Sequence, residues 1–545
     1  MAARVPQGFE NVVKGAAFAV ADGISSSQVS QIAAETAAKA LITDYYATPQ
    51  TWTVKTSAAH VIRATNSWLF AQNRYQRTSD MNLGMVCTLS ALILKAQEAH
   101  IFHVGDSRIA RLSGSNLEPL TNDHTAVYSE HTQYLGRAVG AAQRIDIDYQ
   151  VVPLTVGDVF LLTTDGVHEF IDVPSIRHSL NSTPDLNQAA SEIVAIALER
   201  GSPDNLTIQI VRIEELARAN TLPNLIENRL PTLATLNPGE TLDNYRVIRE
   251  VHHSPRSQLS LATSSSGERV ALKIPTTETL ENPDALQRFL FEEWIARRVR
   301  SPHIVKAAST DTERSASYVA MHWIDGCTLR QWLIDHPQPH IDDVRSIAEQ
   351  IIRGLRALHR QEMIHQDLRP ENIMLDRAGT AIIVDLGSVA VAGLEQAAPG
   401  SLGRLPGTLQ YTAPEYLSGA DVNWRSDQFA LGVIVYEMLT GRLPYGTKVA
   451  QVRNRRDQQR LTYQPADLDD SCVPSWVNFA LSRACHRDPH RRYDALSEFM
   501  ADLKTPSKDY RPEASRPLLE RNPQRFWQGL VALQLLVIVF LIALV

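Results

Sequence analysis

This chain of 545 residues has few cysteines and no excess of positive charge. Its four cysteines lie far apart, with no Cys-x-x-Cys pair and no metal-ligand spacing, which excludes a cysteine-based metal site and favours a reducing compartment. The net charge of −7 excludes the basic footprint on which nucleic-acid binding depends. We expect no cleavable secretory signal, because no charged region followed by an apolar core opens the sequence. We therefore expect proteins and nucleotides, not nucleic acids, as partners.

The length of the protein exceeds what one hydrophobic core can organise, and two or three domains are expected. Prolines and a glycine interrupt the pattern at 221–240, and a second break with four prolines and many charges lies at 506–525. We interpret both as linkers, the second of them basic. They separate a domain at 1–220 from a domain at 241–505 and from a terminal segment at 526–545.

The terminal segment 526–545 has only Gln528 and Gln534 as clearly polar side chains. As a helix, its twenty residues would span about 30 Å, the thickness of a bilayer's hydrocarbon core. Basic residues precede it and favour a cytoplasmic position for the rest of the protein. We predict a single-pass, C-terminal helix that anchors the protein in the cytoplasmic (inner) membrane. The alternative is a buried C-terminal helix, which normally shows a polar stripe.

The two domains differ in how strand-like and helical spacings of apolar residues follow one another along the sequence. In 1–220, apolar strand-like runs alternate with helical stretches such as 28–47, which predicts a mixed α/β domain built on antiparallel sheets. From 241 the sequence is first strand-rich, and from about Asp342 the apolar spacing becomes helical. The fold class is therefore multidomain, with an α/β sandwich followed by a two-part α+β domain.

The second domain contains residues suited to phosphoryl transfer, which requires positioning and neutralisation of charge. The run 365–372 reads His-Gln-Asp-Leu-Arg-Pro-Glu-Asn between a helical and a strand-like stretch. A loop there could aim Asp367, to accept the hydroxyl proton, and Asn372, to bind magnesium, at one point. Asp385, in a second loop, offers another oxygen ligand for magnesium.

A cation for the phosphates of the substrate is also present in this domain. Lys273 lies in the strand-like run Val-Ala-Leu-Lys, and Glu292 lies on the helical stretch 285–300. The carboxylate of Glu292 can hold the lysine by an ion pair. Any one of these motifs can occur by chance. Their occurrence together and in this order along the sequence is a much more specific signal.

Taken in order, these motifs resemble those of protein serine/threonine kinases. Asp385-Leu386-Gly387 is followed by Ala413-Pro414-Glu415, by the run 426–432 and by Arg492, as in that family. The resemblance implies a two-lobed fold that binds ATP and Mg²⁺ and acts on protein serine or threonine. It implies that Asp367, Arg369 and Asn372 are catalytic, that Asn372 and Asp385 bind metal, and that the ATP-binding set is Lys273, Glu292, Asp385, Met321 and Trp323.

Three departures from the family pattern stand out. The stretch 250–258 contains no glycine where the family has a glycine-rich loop, and Pro255 lacks an amide hydrogen. Gln366 replaces an arginine that pairs with activation-segment phosphate, and Arg369 replaces a lysine. We expect weakened ATP affinity and activity that depends less on phosphorylation between Asp385 and Glu415. The extreme form is a pseudokinase that keeps the fold without turnover.

The first domain places aspartates where strands give way to loops. Asp22, Asp106, Asp165 and Asp204 each follow or precede an apolar run. Four such carboxylates could converge on hard divalent cations, which prefer oxygen ligands. For any single instance, Asp-Gly or Asp-Asn alternatively marks only a turn.

In their order these runs resemble the metal-dependent type 2C protein serine/threonine phosphatases. The resemblance extends to Thr-Asn-Asp-His at 121–124 and to the run 135–140. It implies that Asp22 bridges two Mn²⁺ or Mg²⁺ ions, that Asp165 and Asp204 complete the first site and that the Gly23 carbonyl binds the second. Asp106 is assigned to a third ion. The implied reaction is an in-line attack on phosphorus by a two-metal-activated water.

One part of the phosphatase pattern is missing. The family's phosphate-binding arginine and a metal-binding acid should precede Asp22, yet only Arg4 and Glu10 are found there, outside a recognisable copy of the motif. We expect the family's first strand to be absent, through a late start or a truncation, with weak phosphatase activity and an unpaired sheet edge as consequences.

The order phosphatase, kinase and membrane helix resembles bacterial bifunctional kinase/phosphatase proteins. The resemblance implies a membrane-anchored enzyme that adds phosphate to protein serine or threonine and removes it again. The alternative is a catalytically weak pseudokinase and pseudophosphatase that act as a signalling scaffold, which the missing glycines and the missing acid favour.

Overall fold

The computed structural model describes residues 1–512 apart from 26, 28, 76–83, 115, 130–131, 217–235, 309–313, 398–408, 420–421 and 468–472; beyond 512 it describes only Trp527, Gln528 and Gln534. The predicted linker at 221–240 therefore lies mostly outside the described residues, as do most of the linker at 506–525 and nearly all of 526–545. Among the described residues, none of the helices combines the length and the apolar character needed to cross a membrane.

The N-terminal domain alternates helices and short antiparallel strands. Its elements are β1 (Ala2–Arg4), α1 (Gly8–Lys14), β2 (Ala16–Val20), α2 (Ser30–Ala47), α3 (Val54–Tyr75), β3 (Leu89–Lys95), β4 (Glu98–Val104), β5 (Arg108–Ser113), β6 (Asn116–Pro119), β7 (Thr125–Ser129), β8 (Thr132–Leu135), β9 (Asp148–Pro153), β10 (Val159–Thr163), α4 (Asp165–His168), α5 (Val173–Ser182), α6 (Leu186–Glu199) and β11 (Ile208–Arg212).

Two sheets stack face to face in this domain, with strand orders β1-β2-β3-β4-β9 and β11-β10-β5-β6. Every residue of β10 is buried, because successive side chains point to opposite faces and both faces are covered. Phe160 and Leu162 pack between the sheets, whereas Val159 and Leu161 pack against α5 and α6. Helices α2 and α3 cover the other sheet. The result is the predicted α/β sandwich on antiparallel sheets.

The expected unpaired sheet edge is wrong for the described structure. Strand β1 pairs antiparallel with β2, with Ala2 opposite Ala19 and Arg4 opposite Ala17. Strand β1 has only three residues and forms the edge of the sheet, and short edge strands are one way in which proteins limit pairing with other chains.

The C-terminal domain begins with a five-stranded antiparallel sheet, in the order β12-β13-β14-β15-β16. Its elements are β12 (Thr241–Leu242), β13 (Tyr245–His253), β14 (Ser257–Ser264), β15 (Arg269–Pro275), α7 (Thr277–Glu281), α8 (Pro283–Arg298) and β16 (Val319–His322). Residues from β13, β14 and β15, among them Val247, Ala262 and Leu272, form a core on one side of this sheet.

A mainly helical part follows the sheet, as the sequence pattern predicts. Its elements are β17 (Gly326–Thr328), α9 (Leu329–Asp335), α10 (Ile341–His359), β18 (Met363–Ile364), β19 (Ile373–Asp376), β20 (Ala381–Ile383), β21 (Ala390–Val391), α11 (Ala392–Ala397), α12 (Pro414–Ser418), α13 (Arg425–Thr440), α14 (Arg455–Arg460), α15 (Ser475–Ala484) and α16 (Leu496–Lys504). The core is centred on α10 and α13, and α13 is buried on nearly all sides.

Candidate active sites

The predicted lysine and acids of the C-terminal domain come together between its two parts. Lys273 on β15 donates through Nζ to Glu292 Oε2 on α8 at 2.7 Å, and Asp385 Oδ1 lies 3.4 Å from the same nitrogen. Burial raises the pKa of Glu292, and Lys273 partly offsets this effect. The lysine cation lowers the pKa of Asp385, which keeps this carboxyl ionised. The arrangement offers a fixed cation beside a carboxylate oxygen able to bind a metal.

Asp367 and Asn372 are also in contact, in the loop between β18 and β19. The Asn372 amide nitrogen donates to the Asp367 carbonyl at 2.8 Å and to its Oδ2 at 3.1 Å. Burial raises the pKa of Asp367 to about 6, against the lowering effect of the Arg369 cation. A carboxyl with this pKa is a suitable proton acceptor near neutral pH.

Helix α13 supports the loop that carries Asp367. The buried Asp427 carboxylate accepts hydrogen bonds from the backbone amides of His365, at 2.9 Å, and Gln366, at 3.0 Å, and pairs with His359 Nε2 at 2.8 Å. Gln366 has φ of +66°, a left-handed conformation that is costly for a residue with a side chain. Asp427 thus compensates locally for the strain of the loop.

The positions of three further predicted residues follow from their own contacts. Arg369 donates through Nε to Glu371 Oε2 at 3.0 Å. Met321 is a buried residue of β16, in the larger core of the domain. Trp323 follows that strand and donates its indole N–H to Asp325 at 2.8 Å. The roles of Arg369 in catalysis and of Met321 and Trp323 in ATP binding stay predictions.

The stretch without glycine forms a tight turn between β13 and β14. The Ser254 hydroxyl accepts hydrogen bonds from the amides of Arg256, at 3.3 Å, and Ser257, at 3.1 Å. The Arg256 carbonyl accepts from Thr276 N at 3.1 Å and from Thr279 Oγ1 at 2.7 Å. Two amides of the turn therefore already have partners. The positive charge of Arg256 acts on Asp367, whose pKa it lowers.

In the N-terminal domain, the four predicted aspartates lie within electrostatic reach of one another. Burial raises the pKa of Asp22 to about 7, and the charges of Asp165, Asp204 and Asp106 contribute to this rise. Burial likewise raises the pKa of Asp106 to about 6, with Asp165 contributing. The strand ends therefore gather negative charge at one place, which a divalent cation would relieve.

The aspartates are positioned mainly by backbone contacts. Thr88, just before β3, accepts from Asp22 N through Oγ1 at 3.0 Å and donates its own amide to the Asp22 carbonyl at 2.8 Å. Gly166 N donates to Asp165 at 2.8 Å, and Asn205 N donates to Asp204 at 2.7 Å. Sequence reasoning missed Thr88, because a single threonine in an apolar run carries no signal of its own.

The predicted metal ligands of this domain are suitable in their chemistry. The oxygen donors of Asp22, Asp165, Asp204 and the Gly23 carbonyl are of the kind that Mg²⁺ and Mn²⁺ prefer. Within the described residues, however, no group of three or more His, Cys, Asp or Glu side chains is arranged to hold a metal ion. The ligand roles of these residues, and that of Asp106, stay predictions.

Arg4 and Glu10 do not join the aspartates. Arg4 pairs with Glu10 at 2.7 Å at the surface, and its guanidinium lies 4.2 Å from the centre of the Tyr46 ring. In the 121–124 run, Asp123 binds Arg108 at 2.6 Å, and His124 lies 3.0 Å from Asp148. Asp123 is thus held by an ion pair and His124 by a hydrogen bond, and these contacts position the adjoining loop.

Two family models match this protein. Residues 8–208 match the model described as Protein phosphatase 2C, and residues 256–502 match the model described as Protein kinase domain. The fold and the two groups of site residues described above agree with this division. The protein combines a protein phosphatase 2C domain with a protein serine/threonine kinase domain, which we call the phosphatase domain and the kinase domain.

Similar proteins include two bacterial serine/threonine-protein kinases. PrkC of Bacillus subtilis is 28% identical over 262 residues, which cover 48% of this chain and 40% of PrkC. The probable kinase PknB of Lactococcus lactis is 28% identical over 268 residues, which cover 48% of this chain and 42% of PknB. The match thus spans less than half the length of either kinase. A solved structure of PppA, a key regulatory component of T6SS in Pseudomonas aeruginosa, is 25% identical with a TM-score of 0.32 and covers 36% of this chain and 85% of PppA.

Proposed function

We propose that this protein is a bifunctional enzyme that phosphorylates serine or threonine in proteins with ATP and removes phosphate from phosphoserine or phosphothreonine. The observation that supports it most is the contact of Lys273 with both Glu292 and Asp385, together with the contact of Asp367 with Asn372. These five side chains supply the cation, the metal-binding oxygens and the proton acceptor that phosphoryl transfer requires.

In the kinase reaction, Lys273 would bind the phosphates of ATP, and Glu292 would keep the ammonium group in place. Asn372 and Asp385 would hold magnesium, which when bound neutralises phosphate charge. Asp367 would accept the proton of the substrate hydroxyl. Arg369, which the resemblance marks as catalytic, lies close enough to Asp367 to lower its pKa and would place a second cation near the transferred group.

In the phosphatase reaction, Asp22, Asp165, Asp204 and the Gly23 carbonyl would bind Mg²⁺ or Mn²⁺, with Asp106 at a further site. The metals, when bound, supply an activated water. The raised pKa of Asp22, about 7, means that metal and proton would compete for this carboxylate. We expect phosphatase activity to be weak, because Arg4 pairs with Glu10 and lies outside the site.

The full-length protein, incubated with radiolabelled ATP, Mg²⁺ and Mn²⁺, tests both activities. Asp367→Asn should abolish autophosphorylation, because the proton acceptor is lost. Asp165→Asn should increase the phosphate that accumulates, because removal is slowed. Asp335→Asn, an exposed change on α9, is the control and should behave as the unmodified protein. No incorporation of phosphate by the unmodified protein would contradict the kinase activity.

A signalling scaffold without catalysis is the second candidate, and the turn at Ser254 favours it. Two amides of that turn are already bonded to the Ser254 hydroxyl, so they are not poised to bind phosphate. A thermal-shift measurement with millimolar ATP and Mg²⁺ separates the candidates, because a ligand that binds the folded state raises the melting temperature. Stabilisation in the unmodified protein, but not in Lys273→Met, supports the enzyme; no shift in either supports the scaffold.

We also propose that 526–545 anchors the protein in the cytoplasmic membrane, with both domains in the cytoplasm. The support is the apolar composition of this segment and the basic residues that precede it. Membrane fractionation of cells that express the full-length protein, before and after alkaline carbonate extraction, tests the proposal. Release of the protein by carbonate would contradict a spanning helix.

A further inference from the structure

The phosphatase domain is docked on the kinase domain through a backbone contact at Gly393. This glycine, on α11, donates its amide to the Thr51 carbonyl at 2.9 Å. A Cβ atom at Gly393 would lie 2.7 Å from the Trp52 carbonyl oxygen, 2.8 Å from that of Thr51 and 3.0 Å from that of Gln50. Real Cβ atoms are not found at such distances, so the contact depends on the absence of a side chain.

Kinase residues also cap a helix of the phosphatase domain. Glu362 accepts hydrogen bonds from Thr53 N at 2.6 Å and from Thr56 Oγ1 at 2.7 Å, and Gln396 accepts from Val54 N at 3.0 Å. The first amides of a helix such as α3 have no partner within it, and a carboxylate there interacts favourably with the helix dipole. The start of α3 is thus completed by the other domain.

Apolar and buried cationic groups extend the same contact. Val13 of α1 is 1% exposed and belongs to the core of the kinase domain, and Phe9 packs against that core. Lys95, at the end of β3, donates to the Gly393 carbonyl at 2.5 Å and is 2% exposed. Burial lowers the pKa of Lys95 to about 7, an effect that the charge of Glu362 opposes. Buried charged groups are uncommon at the centre of an interface, so a buried lysine bonded to a backbone carbonyl of the other domain indicates a closely fitted contact.

The kinase elements held by this contact are the ones that carry its site residues. Arg298, at the end of the helix that bears Glu292, donates to Gln50 Oε1 at 2.9 Å. The Arg360 carbonyl, shortly before the loop that bears Asp367, accepts from Trp52 Nε1 at 3.0 Å. Helix α11 begins seven residues after Asp385. The docked domain therefore contacts three segments that lead to Glu292, Asp367 and Asp385.

We propose that the phosphatase domain acts as a built-in activator of the kinase domain, by holding these three segments in the arrangement that brings Lys273, Glu292 and Asp385 together. Contacts made in one conformation favour that conformation by their free energy. The docking surface is the set Gln50–Val54, Phe9, Val13 and Lys95 of the phosphatase domain. The effect on catalysis rests on the proposed kinase activity, whereas the docking itself does not.

The docking surface leaves the predicted metal site accessible. Thr88, which bonds Asp22, immediately precedes β3, and Lys95 ends that strand. The seven steps of extended chain from Thr88 to Lys95 correspond to about 23 Å. The domain can therefore hold the kinase at one end of β3 while the aspartates lie at the other.

Gly393→Ala in the full-length protein is the most direct test. Alanine favours helix over glycine, so α11 itself is not weakened, while the added methyl group meets three carbonyl oxygens. We expect faster hydrogen exchange at 51–56 and 392–397, and an autophosphorylation rate at least about fivefold lower, a typical size for coupling between sites. Gln396→Ala, which removes the cap on Val54, should show the same changes to a smaller degree.

Gln331→Ala is the matched control, because this exposed glutamine bonds Asp335 within its own helix. It should alter neither the exchange at 51–56 nor the kinase rate. Unchanged exchange in Gly393→Ala would overturn the docking. Faster exchange with an equal or higher kinase rate would overturn the activating role. If the unmodified protein lacks kinase activity, the proposed function fails, and the exchange data still decide whether the domains dock.

Discussion

Arg492 and Glu415 form a two-pronged ion pair inside the kinase domain, with Nη1 to Oε1 at 2.7 Å and Nη2 to Oε2 at 2.8 Å. Their side chains are 0% and 1% exposed. Removing one partner leaves the other as an unpaired buried charge, so Arg492→Met should lower the free energy of unfolding of the kinase domain by about 3–5 kcal/mol. Urea denaturation followed by far-UV circular dichroism measures this change.

The neighbouring Arg491 provides a control for that substitution. Its side chain is 74% exposed and lies 4.0 Å from Asp488. Exposed ion pairs contribute little to stability, so Arg491→Met should change the free energy of unfolding by less than about 1 kcal/mol. Equal effects of the two substitutions would show that the buried pair is not a special source of stability.

The kinase rate should depend on pH through Asp367, whose pKa burial raises to about 6. A proton acceptor must be ionised, so the rate should be constant above this pKa and should fall about tenfold per pH unit well below it. Single-turnover phosphorylation of a protein substrate between pH 5 and 8 measures the profile. A rate that stays constant down to pH 5 would contradict the role of Asp367.

Arg256→Gln should move this pH profile. The arginine lowers the pKa of Asp367, and loss of its charge should raise the pH at which the kinase rate falls. Arg246→Gln, an exposed change on β13, should leave the profile in place. If both variants titrate like the unmodified protein, Arg256 does not act on the catalytic carboxylate.

Asp22→Asn should stabilise the metal-free protein at pH 8. A carboxyl whose pKa is about 7 when folded, and near 4 when unfolded, binds its proton more tightly in the folded state. Its contribution to stability is therefore fully present below pH 4 and is lost as the pH rises through 7. The substitution should raise stability by about 1–3 kcal/mol at pH 8 in EDTA and have little effect at pH 4.

In the presence of Mn²⁺ at pH 8, the unmodified protein should become more stable than Asp22→Asn, the reverse of the order expected in EDTA. The unmodified protein should gain stability from the bound metal, whereas Asp22→Asn should gain less. Thermal unfolding in EDTA and in Mn²⁺ measures both effects, with the exposed Asp44→Asn as a control. Equal stabilisation of all three proteins by Mn²⁺ would contradict the metal role of Asp22.

Much of each domain follows from local patterns in the sequence. The run 159–163 is apolar apart from Thr163, as expected of a strand covered on both faces, and it forms β10. The helical stretch predicted over 28–47 is α2, from Ser30 to Ala47. The ion pair of Lys273 with Glu292 is confirmed at 2.7 Å. These features depend on period and spacing, which are visible in one sequence.

The rest depends on contacts between residues far apart in the sequence. Glu362 caps a helix that begins some 300 residues earlier, and no property of Glu362 or Thr53 alone indicates this contact. The role of Ser254 in closing the turn before β14 was missed for a related reason, because a serine hydroxyl forms local bonds in many loops. Val13 of α1 is buried by the other domain, and nothing in the sequence around it indicates this contact.

The close contact at Gly393 has a consequence for how the phosphatase and kinase domains stay associated. The surfaces that meet there carry information about the relative position of the two domains. A protease cut between the domains would leave every contact of Gly393, Glu362 and Lys95 in place, so the two fragments should migrate together in gel filtration. The covalent connection then raises the concentration of one partner near the other without specifying how they fit.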